Sequence, residues 1–86
     1  MNFRLTRHVK EELSLRAIPM ALLEQVLNKP QEIVQEKGGR KAYQSVLDFG
    51  HGKVFLLRAI VDDSADPPVV LTAYRTSRIS KYRRTT

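Results

Sequence analysis

The chain has 86 residues, 42% of them hydrophobic, which suffices for one domain around one modest core. Fifteen Lys and Arg against nine Asp and Glu give a formal charge of +6 and a pI of about 10.1, a balance that favours polyanionic partners, nucleic acid foremost. The lack of cysteine excludes disulfides and thiolate metal sites, the two histidines show no ligand pattern, and no apolar run approaches a membrane span of roughly 20 residues.

In chain order, Phe3-Arg4-Leu5 reads as a short opening strand, and Thr6 carries a side-chain oxygen suited to capping the helix that follows. Leu5, Val9, Leu13 and Ala17 recur at helical spacing, so their stripe is expected on the core, with His8 at its edge. Pro19 reads as the first residue of a second helix whose apolar face is Leu22, Leu23, Val26 and Leu27, and Asn28 and Pro30 close it. From there the pattern is strand and turn: Glu32 to Gln35, Gly38-Gly39, Ala42 to Phe49, Gly50-His51-Gly52, Lys53 to Val61, an acidic loop, and Val69 to Thr76. His51 is read as part of a turn. The loop Asp62-Asp63-Ser64-Ala65-Asp66 lacks the glycine and terminal glutamate of a calcium loop and is read as a solvated connection.

The expected fold is α+β, with two N-terminal helices packed on one face of an antiparallel sheet of about four to five strands. One domain spans residues 1–86, with a basic tail from about residue 83. Strand alternation puts Phe55, Leu57, Ala59 and Val61 on the covered face and Arg58 on the other. In the last strand, strict alternation groups Val69, Leu71 and Ala73 against Val70, Thr72, Tyr74 and Thr76. Arg58, Thr72 and Tyr74 are thereby expected together on an uncovered surface suited to a phosphodiester.

The stretches Thr6-Arg7-His8-Val9, Arg16-Ala17-Ile18-Pro19, Leu27-Asn28-Lys29-Pro30 and Val70-Leu71-Thr72-Ala73-Tyr74-Arg75 resemble a family of small prokaryotic domains of unknown function, over about residues 3 to 82. That family opens on Ser or Thr followed by His, carries Arg-Gly-Ile-Ser before a second helix ending in Asn-Pro, and closes on a strand with Thr and Tyr beside Arg. It is grouped with the RelE-like and barnase-like RNases, many of them toxins. The resemblance implies a metal-independent endoribonuclease, acting on mRNA or tRNA and neutralised by an antitoxin or immunity protein. Glu12 stands where the family often has Arg, and Ala17 and Pro19 replace its Gly and Ser.

Metal-free RNA cleavage needs a base for the 2′-hydroxyl, an acid for the leaving oxygen and positive charge at the phosphorus. His8 is the candidate acid or base by its intrinsic chemistry, with Glu12 one turn along to hold it; capping or packing is the structural alternative. Arg58 is the candidate phosphate clamp, or else a salt-bridge partner of Asp48 or Glu12. Tyr74 and Thr72 complete the catalytic set, against plain strand packing. Arg16 pairs with Glu12 or faces the site. Arg75, Arg78, Lys81, Arg83 and Arg84 are candidate nucleic-acid contacts that position phosphates, or else a solvated tail.

No metal, small-molecule cofactor or membrane is expected, and the expected site of action is the cytoplasm, with delivery from a larger secreted effector left open. RNA and an antitoxin or immunity protein are the expected partners. A non-catalytic RNA- or DNA-binding module using the same face is the alternative function, and a protein-interaction module is the third.

Overall fold

In a computed structural model, which describes residues 2–83, the chain is an α+β domain with a five-stranded mixed sheet and three α-helices. The opening strand β1 is short, Arg4–Leu5. Thr6 then ends extended backbone and accepts a 3.1 Å hydrogen bond from the Val9 N–H, capping α1, Arg7–Leu15. Helix α1 buries Val9 and Leu13, each burial stabilising by about 1.5–3 kcal/mol.

Ala17 does not extend this stripe. It adopts a left-handed conformation, φ 53°, where Ala17 N–H reaches the Ser14 carbonyl at 3.3 Å and Ile18 N–H the Leu13 carbonyl at 2.9 Å. This paired closure of a helix C-terminus is the Schellman motif, and it turns Ile18 into the core in place of Ala17. Pro19 sits at the N-cap, one residue before the expected position, and α2 runs Met20–Asn28 with Leu23, Val26 and Leu27 buried.

The remaining strands are β2, Glu32–Gln35, β3, Lys41–Asp48, β4, Val54–Asp62, and β5, Val69–Thr76, followed by a single turn α3, Ile79–Tyr82. Their order is β1-β5-β4-β3-β2. The pairs β2–β3, β3–β4 and β4–β5 are antiparallel, but β1 lies parallel to β5, so the expectation of a wholly antiparallel sheet is corrected. Two residues of strand carry no pattern that sets direction.

The core pools Val9 and Leu13 of α1 and Leu23, Val26 and Leu27 of α2 with Leu57, Ala59 and Val61 of β4 and Val70 and Ala73 of β5. Val70 and Ala73 are three apart, which strict alternation forbids. A bulge resolves this: Val61 pairs with Val70 and Ile60 with Thr72, leaving Leu71 as an extra residue. Val70 therefore joins the core, contrary to its expected grouping with Thr72 and Tyr74. No helix among the described residues is long and apolar enough to cross a membrane.

Candidate active site

Two clusters meet on β5. The first spans α1 and β5 and is organised by Glu12, whose side chain is 12% exposed. One carboxylate oxygen, Oε2, lies 3.1 Å from His8 Nε2 and 3.2 Å from an Arg16 nitrogen; the other, Oε1, accepts a 2.7 Å hydrogen bond from the Thr72 hydroxyl. His8, Glu12 and Arg16 follow at four-residue spacing, which stacks them on one face of the helix. Arg16 also donates to the Ala73 carbonyl at 2.8 Å, which ties α1 to the backbone of β5. The His8 side chain is 70% exposed and that of Arg16 42%, so both remain open to solvent while Glu12 anchors them.

The second cluster centres on Arg58, which pairs with Gln44 on β3 and Tyr74 on β5 in the register of the sheet. Arg58 and Tyr74 are brought together as expected, but the surface they share is covered. Arg58 is 4% exposed. Its Nε donates to Gln44 Oε1 at 2.7 Å, one terminal nitrogen to the Tyr74 hydroxyl, and the other to Glu36 at 3.0 Å. The Tyr82 ring lies 4.5 Å from the guanidinium carbon, a cation–π contact contributed by α3. Gln44 donates onward to Glu32 at 2.6 Å and to the Tyr82 carbonyl at 3.1 Å. The salt-bridge partner of Arg58 is thus Glu36, neither Asp48 nor Glu12.

His8 and Thr72 are joined through Glu12, and Arg58 and Tyr74 are joined directly. Thr72 and Tyr74 stand two residues apart on β5, a rise of about 7 Å. The expected cationic contacts are dispersed. Arg75 stacks over Phe49 and Phe55, at 5.1 and 4.6 Å from their ring centres. Arg83 lies 3.5 Å from Glu32 and donates to Gln31 at 3.0 Å. Arg78 and Lys81 are exposed at either end of α3, and Arg84 lies outside the described residues.

Glu36, Gln44, Glu32 and Tyr82 escaped the sequence reading. Gln44 alone left a signal: it interrupts the apolar positions of β3 directly opposite Arg58, although that pairing requires the register. Among the described residues no group of three His, Asp or Glu side chains is placed to hold a metal ion.

Residues 5–75 match the family described as "Domain of unknown function (DUF4258)", and the chain belongs to that family. No curated protein and no solved structure matches it.

Proposed function

We propose that the chain is a toxin-like, metal-independent endoribonuclease of the RelE-like or barnase-like kind, acting on mRNA or tRNA in the cytoplasm and neutralised by an antitoxin or immunity protein. The observation that carries this reading is the exposed His8 imidazole held 3.1 Å from the largely buried Glu12, with the Arg16 guanidinium against the same carboxylate oxygen.

In this mechanism neutral His8 takes the proton of a ribose 2′-hydroxyl. The 2′-oxygen attacks phosphorus, a new P–O bond forms, and the P–O bond to the 5′-oxygen breaks. Protonated His8, or water in its place, returns a proton to that leaving oxygen, giving a 2′,3′-cyclic phosphate and a 5′-hydroxyl. Arg16 supplies positive charge beside the phosphate, and Glu12 orients the imidazole.

The runner-up, a non-catalytic RNA- or DNA-binding module, draws support from the formal charge of +6 and the exposed Arg78 and Lys81, which hold phosphate without any proton transfer. Incubating pure protein with total RNA and tRNA in excess EDTA separates the two. Cyclic-phosphate ends that form with the parent chain and vanish with His8→Ala support the nuclease. RNA that is retained but uncut, with retention falling steeply with salt, supports the binding module.

A further inference from the structure

The edge of the sheet beside β1 is open. The Arg4 N–H donates to the Pro68 carbonyl at 2.8 Å, which directs the backbone of Arg4 toward β5. Alternation then turns the N–H and C=O groups of Phe3 and Leu5 away from the sheet. Among the described residues β1 pairs with β5 alone, and no turn, loop or cap bond of the backbone reaches Phe3 or Leu5. Such an edge is a template for a further strand.

A groove of about 560 Å³ runs beside this edge, between β1 and α2. Phe3 and Leu5, both half-buried, line it above the buried Leu23 and Leu27, and Met20, 44% exposed, stands at its side. Arg4 and Lys10 place two cations on it against the single acid Glu24.

From this juxtaposition we propose that the β1–α2 groove docks an extended acidic segment of a partner protein, which adds as a strand beside Phe3 and Leu5. Backbone pairing supplies the fit, apolar side chains at alternate positions fill the groove, and carboxylates between them meet Arg4 and Lys10. The formal charge of +6 draws an acidic segment toward the chain at long range. A nucleic-acid strand uses the two cations but neither the apolar lining nor the edge amides, and the Phe3 ring is already engaged edge-to-face with Tyr43 at 5.7 Å. The proposal is independent of whether the chain cuts RNA.

The test is selection of random displayed dodecapeptides on the full chain, followed by binding of the enriched peptides to Met20→Glu and Lys10→Glu variants. The expected peptides alternate acidic and apolar residues, weaken on the order of tenfold or more on either variant, and protect the Phe3 and Leu5 amides from hydrogen exchange. Both substitutions lie at exposed positions; should Met20→Glu disturb the fold, Lys10→Glu carries the comparison. An absence of enriched peptides, equal binding to parent and variants, or unprotected amides overturns the proposal. So does displacement of the peptides by a tRNA fragment that itself shifts the signals of Arg4, Lys10 and Met20.

Discussion

Thr72 on β5 donates a 2.7 Å hydrogen bond to Glu12 on α1, across 60 residues of chain. The bond holds one carboxylate oxygen and leaves the other to His8 and Arg16. A strand hydroxyl therefore sets where a helix histidine stands.

Removing that hydroxyl tests the link. Thr72→Val keeps the side-chain shape but takes a donor from a largely buried carboxylate, and the expected loss is about 1–2 kcal/mol in urea unfolding. Under the nuclease reading His8→Ala lowers cleavage by about 10²–10⁴. Thr72→Val lowers it less, because Arg16 still braces Glu12. Thr72→Val with parental stability and activity would show that the bond positions nothing.

Ala17 offers a gain. Its φ of 53° lies where a Cβ is crowded, and glycine removes that penalty. Ala17→Gly is expected to stabilise by roughly 1 kcal/mol, net of the added freedom of the unfolded chain. The urea midpoint should rise with an unchanged slope; a fall would mean that Ala17 contributes packing that outweighs its strain.

Arg58 is predicted to be structural first. Arg58→Met leaves Gln44 and Glu36 without their donor and should cost about 2–3 kcal/mol. Tyr82→Ala uncovers the guanidinium and should cost about 1–2 kcal/mol through the lost cation–π contact. Dicarbonyl modification mapped by mass spectrometry should leave Arg58 protected in the parent and labelled in Tyr82→Ala. Rapid labelling of Arg58 in the parent would contradict its burial.

Lys41 gives a pH signature. Its amine donates to Asp63 at 2.6 Å, and this hydrogen bond, with the attraction of the carboxylate, raises the pKa above the ordinary 10.5. A raised folded-state value means a contribution fully present below pH 10.5 and lost as pH rises through that folded value. The Tm difference between the parent and Asp63→Asn should therefore persist at neutral pH and close in strong alkali. A difference independent of pH would assign the effect to something other than this pair.

Much of the architecture was legible because apolar spacing and turn residues coincide. The bounds of β2 and β5, the Thr6 cap and the apolar face of α2 follow from local chemistry alone. The direction of β1 was not legible, since a two-residue strand has no face to bury. Nor was the bulge at Leu71, because an extra residue among Val69, Val70 and Leu71 is invisible where all three are apolar. In the site, His8–Glu12 is a helical repeat and could be read directly. The burial of Arg58 could not, because Glu36 follows β2, Gln44 sits on β3 and Tyr82 returns from α3, and only the folded sheet brings them to one place.

The bulge at Leu71 divides β5 into two short segments with independent duties. Val69 and Val70, before it, hold β1 and with it the open edge; Thr72, Ala73 and Tyr74, after it, carry the contacts to Glu12, Arg16 and Arg58. Without Leu71 the order Val70, Thr72, Ala73, Tyr74 alternates regularly between core and far face, so the extra residue acts as a splice between two strands already in phase. The edge and the histidine cluster thus stand on separate segments of one strand, each with its own set of contacts.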